Sequence, residues 1–167
     1  MEGYYTRYSR ESDREQVEKL LYDTFGIMVV HEGAYDGIPS GKYLLMFEEG
    51  TDLLVAISGL CHSDEFPGPQ ITWTCTRPEY RHKGLMQDLF KRFIYSTDQT
   101  LYCSCWRIGG NELVNLHTLM SLFGFEKVEV NYRVRSGMLC PIREGCPYYS
   151  DNCRCYNDVF MRKGKVE

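Results

Sequence analysis

The spacing of apolar positions along this chain changes several times, and each change marks an element. Tyr4 to Ser9 alternates as a short strand does. Ser12-Asp-Arg-Glu15 then has the spacing of a capping box, in which each end satisfies the other's backbone N–H. Val17, Leu20, Leu21 and Phe25 follow at helical spacing, which predicts a helix from Asp13 to about Thr24. The glycine-rich stretch from Gly26 to Gly41 has no single period; it accommodates a short helix around His31 to Tyr35 and reads as a substrate-side loop. Lys42 to Glu48 and Leu53 to Cys61 are apolar, strand-like runs separated by Glu49-Gly50-Thr51-Asp52, which predicts a tight antiparallel hairpin.

After a connection from His62 to Pro69, the run Ile71 to Thr76 predicts a further strand. Leu85, Leu89 and Phe93 beside Met86, Phe90 and Ile94 predict a helix over Gly84 to Thr97. A strand from Leu101 to Arg107 leads through Gly109-Gly110-Asn111 to a helix from about Glu112 to Leu122, and Gly124 suits a left-handed helix stop. Strands at Lys127 to Arg135 and Asp158 to Arg162 enclose a cysteine-rich loop at 137–156. The expected order is β-α-(α)-β-β-β-α-β-α-β-β in one domain over residues 1–167, without repeats, low-complexity tracts or an interdomain linker.

Composition narrows the function classes. With 43% apolar residues in 167, the chain has enough to build a sizeable core. Its 19 basic and 23 acidic residues give a formal charge of −4, so no global field favours nucleic acid or an anionic membrane. The start, Met-Glu-Gly-Tyr-Tyr, lacks a basic and apolar leader, and no apolar run approaches the roughly 20 residues of a membrane span. A soluble, cytoplasmic protein, monomeric or homodimeric, is therefore expected. In that setting the eight cysteines favour free thiols, a metal site or packing over a disulfide framework. Cys61, Cys75, Cys103 and Cys105 lie in apolar strands as small hydrophobes, with Cys103 and Cys105 on one face. Cys140, Cys146, Cys153 and Cys155, with five, six and one residues between them, suffice for a tetrahedral zinc site if the loop folds back. Disulfide or redox chemistry and unlinked thiols are the alternatives there.

The chemistry-bearing segment runs Thr-Arg-Pro-Glu-Tyr-Arg-His-Lys-Gly-Leu-Met over residues 76–86 and opens a helix directly after a strand. A helix start offers backbone N–H groups without intrahelical partners and a partial positive charge, and Gly84 has no Cβ to keep a phosphate away. The pattern Arg81-x-x-Gly84-x-Met86, preceded by Pro78, resembles the acetyl-CoA pyrophosphate loop of the GNAT superfamily of N-acetyltransferases, with Met86 where that loop has a small residue. A second segment, Leu116-x-x-Leu119-Met120-x-x-Phe123-Gly124-Phe125, is similar to the family's helix ending in Gly-Phe.

This resemblance covers nearly the whole chain. It implies an α/β (α+β) fold in which a central mixed, mostly antiparallel sheet is flanked by helices and strands four and five splay apart. It further implies that the pantetheine arm pairs with strand four at about Thr74, Cys75 and Thr76, and that the pyrophosphate sits on the N–H groups of Arg81, His82, Lys83, Gly84, Leu85 and Met86. Asn111, or Asn115, would bond the pantetheine arm.

Acetyl transfer needs a neutral amine, a group to hold the developing oxyanion and a proton for the departing thiolate. The family's strand-four glutamate falls near Gln70 and its late-helix tyrosine at Met120, neither of which transfers protons. His62 and Glu65 before strand four are the catalytic candidates, with Tyr102, His117 and Tyr132 as further titratable groups, while Tyr148 and Tyr149 are candidates for acceptor selection. The expected activity is acetyl-CoA-dependent N-acetylation of a small-molecule or peptide amine by direct attack. The alternatives are a non-catalytic acyl-CoA-binding module and a metal- or redox-responsive regulator on the same fold.

Overall fold

A computed structural model describes residues 2–31, 33–62, 64–108, 111–112, 116–136 and 154–164. Side chains are described for these except at 31, 106–108, 111–112, 116–117, 130–136 and 154–156. The residues pack as two compact units, Met1–Cys61 with Ile71–Ser96, and His62–Gln70 with Thr97–Glu167.

In the first unit, β1 (Tyr4–Tyr8), β2 (Tyr43–Glu48), β3 (Leu53–Cys61) and β4 (Gln70–Thr76) are neighbours in that order. The β1–β2 and β2–β3 pairs are antiparallel, as the hairpin composition predicts. Tyr43 to Phe47 are all buried, which is what a strand covered on both faces requires. Leu45 and Phe47 pack with Val17, Leu20 and Leu21 of α1 (Arg14–Phe25), while Leu44 and Met46 pack with Leu85, Leu89 and Phe93 of α3 (Leu85–Ser96). Along β3 the alternation slips: Leu54 and Ile57 face the α1 side, whereas both Val55 and Ala56 face α3. The register explains this, because Met46 pairs with Ala56 and Phe47 with Leu54, leaving Val55 as the extra residue of a bulge.

The entry to α1 differs from the expected Ser12/Glu15 box. A 3-10 turn at Glu11–Asp13 precedes the helix, and the Asp13 carboxylate accepts the Arg10 N–H at 2.8 Å. The glycine-rich stretch holds α2 (Met28–His31) and a 3-10 turn at Ala34–Gly37 in place of one helix at His31 to Tyr35. The Tyr43 hydroxyl donates to the Ala34 carbonyl and pins that turn to β2.

In the second unit, β8 (Arg154–Arg162) lies between β5 (Leu101–Ile108) and β7 (Glu126–Ser136), antiparallel to both. The helix expected from Glu112 starts later, as α4 (Leu116–Leu122), because Asn111 and Glu112 form a two-residue strand, β6, paired with Ile108 and Arg107. Its C-terminus is as read: Gly124 has φ 72°, and the Phe125 N–H reaches back to the Met120 carbonyl at 2.9 Å, the long bond of a Schellman stop. Among the described residues no helix is long and apolar enough to cross a membrane.

Candidate functional site

The segment from β4 to α3 is built around two departures from regular backbone. Within β4, Trp73 has φ 48°, a left-handed conformation for a bulky residue in mid-strand. Such a position costs about 1–3 kcal/mol and persists only where neighbours enforce it. Here the indole meets the Phe25 ring edge-on, with centroids 5.5 Å apart, and packs against the α1-side core. Next to it, Thr74 Oγ1 shares a 2.8 Å hydrogen bond with the buried Ser58 hydroxyl. Cys75 is buried among the α1-side residues, and burial pushes its thiol up to about 12. Its side chain is part of that core packing.

The second departure is the turn after β4. Arg77 anchors it through the bulge in β3: its N–H donates to the Val55 carbonyl at 2.9 Å and its Nε to the Leu54 carbonyl at 2.5 Å. A 3-10 turn follows at Pro78–Tyr80, closed by the Tyr80 N–H on the Arg77 carbonyl at 3.0 Å. His82 and Gly84 then both adopt positive φ, 61° and 77°, and turn the chain into α3. The Asp88 N–H on the Gly84 carbonyl, at 3.2 Å, is the first i→i−4 bond. The N–H groups of Leu85, Met86 and Gln87 precede it and have no acceptor within the helix. Arg81, His82 and Lys83 are exposed around this opening. The expected strand, turn and helix start are therefore all present, with Gly84 in the left-handed conformation that favours glycine.

The basic side chains are not alike. Arg81 Nε donates to the Thr76 carbonyl at 3.2 Å, tying the turn to the end of β4. The Lys83 ammonium lies 4.6 Å from the centre of the Tyr80 ring. Desolvation and then its hydrogen bond to the Glu48 carboxylate hold the Tyr80 hydroxyl above its ordinary range, and the Tyr80 ring stands edge-on to Tyr4. Met86, at the position where the resembling loop has a small residue, packs against the α3-side cluster with Tyr80.

Thr74, Cys75, Thr76 and Arg81 to Met86 are thus contiguous in one unit, joined by the Arg81–Thr76 bond. His62 and Glu65 belong to the other unit, where both are exposed on the connection before β4. That connection is held by Phe66 stacked on Tyr102, 5.2 Å between centroids, and by the Tyr102 N–H on the Pro69 carbonyl at 2.9 Å. Met120 is fully buried. Asn111 lies in β6 rather than in a loop leading into α4, and Asn115 lies outside the described residues. Cys140, Cys146, Cys153, Tyr148 and Tyr149 also lie outside them; Cys155 is placed by its backbone on β8, opposite Ile108 and Arg135. His117 and Tyr132 are placed by backbone alone, on α4 and β7. Among the described residues no group of three or more His, Cys, Asp or Glu is gathered to hold a metal ion.

Sequence reasoning missed Trp73, Arg77 and the Tyr80–Glu48 contact. Only Arg77 carried a signal, since a residue before proline is driven to extended backbone, and Arg77 has φ −51° and ψ 138°.

No protein-family model and no curated protein sequence matches the chain. Solved structures do. A GNAT-family acetyltransferase from Bacillus cereus superposes with a TM-score of 0.66 at 12% identity, covering 98% of this chain and 99% of that one. The ribosomal-protein-S18-alanine N-acetyltransferase of Escherichia coli gives 0.62 at 12% identity, covering 98% and 97%. An aminoglycoside 6'-N-acetyltransferase complexed with coenzyme A gives 0.64 at 9% identity, covering 98% and 99%. At these identities the likeness is one of fold, and the fold of this chain is the GNAT fold.

Proposed function

We propose that this GNAT-fold chain is an acetyl-CoA-dependent N-acetyltransferase, acting through residues 1–167 as one catalytic domain. The observation that carries the proposal is the turn from Arg81 to Met86, where left-handed backbone at His82 and Gly84 opens a helix start ringed by exposed basic side chains. That geometry fits a pyrophosphate. In this reading the coenzyme supplies an acetyl thioester. The amine acceptor attacks it directly, forming a C–N bond as the C–S bond breaks and the thiolate takes a proton. Backbone of β4 at Thr74 to Thr76 aligns the pantetheine arm, and a β4 N–H steadies the oxyanion. His62 and Glu65 are the groups assigned to proton transfer. The acceptor class is a small-molecule or peptide amine; two of the structural matches carry names specifying a ribosomal-protein alanine and an aminoglycoside.

One observation favours a second reading, an acyl-CoA-binding module without catalysis: position 120 holds a methionine that is fully buried and cannot transfer a proton. Calorimetric titration with acetyl-CoA and free CoA tests the shared premise. Saturable binding is expected, and no binding at millimolar ligand overturns both readings. Acetyl transfer to any member of an amine and peptide panel then selects the enzyme; hydrolysis-free binding with no transfer selects the module.

A further inference from the structure

The second unit buries two thiols that the proposed function does not use. Cys103 and Cys105 are two residues apart on β5, so strand alternation places both on one face, where they are 3% and 2% exposed. Their Sγ atoms are 3.8 Å apart. The register sets Phe160 opposite Cys103 and Asp158 opposite Cys105. The Asp158 carboxylate is fully buried and paired with Lys127 Nζ at 3.0 Å, and the Lys127 side chain, 34% exposed, spans from this cluster to solvent.

Two chemistries use a pair of thiols. A disulfide requires Cβ atoms about 3.5–4.5 Å apart. Residues i and i+2 of an extended strand are separated by about 6.6–6.8 Å, so a disulfide here would have to buckle β5 inside a ladder it shares with β8 from Leu101 to Ile108. A single pyramidal atom bridging the sulfurs makes no such demand: with sulfur–atom bonds of about 2.3 Å at an angle of about 95–110°, the sulfurs stand about 3.4–3.8 Å apart. We propose that Cys103 and Cys105 form a buried two-thiol site for a trivalent, thiophilic metalloid of the arsenic type, whose bonding two sulfurs and one substituent of its own satisfy.

A trivalent arsenic oxide reacts with two thiols in this way. Two As–S bonds form, the arsenic–oxygen bond is lost, and both thiol hydrogens leave with that oxygen as one water. Nothing is oxidised or reduced. The product carries no net charge, so no bare ion is buried.

The probe is phenylarsine oxide, in small molar excess over the folded chain, followed by alkylation of remaining thiols and tryptic digestion without reductant. The tryptic peptide spanning residues 93–107 contains Cys103 and Cys105 and no other cysteine, so its mass reports this site separately from the tail cysteines. The expected result is one phenylarsine group in place of two hydrogens on that peptide, with the far-ultraviolet circular dichroism unchanged. Cys103→Ser and Cys105→Ser should each abolish it. A peptide from the folded chain that carries no arsenic overturns the proposal, whether the probe is then found on other cysteines or reaches 93–107 only in urea. A parallel labelling of the wild-type chain in urea shows that the peptide takes the probe once unfolded, so the test stands even if a serine variant fails to fold.

Discussion

Gly84 and Trp73 both hold left-handed backbone, and the difference between them is instructive. Glycine takes φ 77° without steric cost and leaves room at the helix start, whereas Trp73 at φ 48° keeps a Cβ in a region that L residues avoid by about 1–2 kcal/mol. The indole's contact with Phe25 and the α1-side core offsets that cost. The strain has a signature that packing alone lacks. In an ordinary strand, alanine is more stabilising than glycine by roughly 0.5–1 kcal/mol. At position 73 the order should invert: Trp73→Gly and Trp73→Ala lose the same ring, but only the glycine variant relieves the backbone. Urea denaturation should therefore find Trp73→Gly the more stable of the two by about 1 kcal/mol. An alanine variant equal to or more stable than the glycine variant would show that β4 is relaxed there, and the case for a strained site would rest on the turn alone.

The elements are tied by a few polar contacts, of which Arg7–Asp13 is the clearest. The guanidinium of Arg7 on β1 donates to both Asp13 carboxylate oxygens at 2.6 Å while stacking over Phe47, and so fixes the start of α1 to the sheet. The Arg7 hydrogen bonds, aided by the Arg10 N–H, hold the Asp13 carboxyl below its ordinary range, against the opposing effect of burial. Since the folded-state value lies below the unfolded one, this contribution is fully present above about pH 4 and is lost as the pH falls through the depressed value. Asp13→Asn should cost about 1–3 kcal/mol near neutrality and flatten the acid limb of the stability curve; an acid limb superimposable on wild type would refute the assignment. Contacts of this kind also mark how far the sequence could be read. The body of α1 was legible because Val17, Leu20 and Leu21 repeat at a local period, but its entry was not, because the partner that selects Asp13 over Ser12 sits on another strand. The end of α4 was advertised by Gly124, whereas its start depends on Glu112 pairing with Arg107 of β5. The turn that opens α3 was legible as backbone for the same local reason: a glycine and a helical stripe identify it without tertiary knowledge. The Val55 bulge and the left-handed Trp73 and His82 arise from pairing and packing, and no residue type announces them; before Pro78 the sequence announces the extended backbone of Arg77 but not its clamp on β3. A proton-transfer group is set by distance and orientation, which spacing does not encode.

At the scale of the whole molecule, the fold is shared with structures at 9–12% identity, so the chemistry must come from local features placed on that scaffold. Charge makes the point. The chain carries a formal −4, and a phosphate-bearing ligand is repelled by that average field. At physiological salt the Debye length is about 8 Å, so the distant acidic groups are largely screened while groups lining the turn are not. If the proposed function holds, attraction comes from the opening of α3, where Arg81 and Lys83 are held differently. Lys83 acts as an exposed charge poised over Tyr80, and Arg81 also ties the turn to the Thr76 carbonyl. Each should add about 0.2–1 kcal/mol to acetyl-CoA binding through charge, up to roughly fivefold in affinity. Salt should then separate them. At 1 M ionic strength, where the screening length falls to about 3 Å, the loss caused by Lys83→Gln should nearly vanish, whereas Arg81→Gln should retain a salt-independent loss because the turn has lost its tether to β4. Titrations of the two variants at low and high salt decide the matter. Equal, salt-insensitive losses would mean that Lys83 also works through the shape of the turn, by its seat on Tyr80; losses that both vanish in salt would mean that the Arg81–Thr76 bond positions nothing the ligand uses.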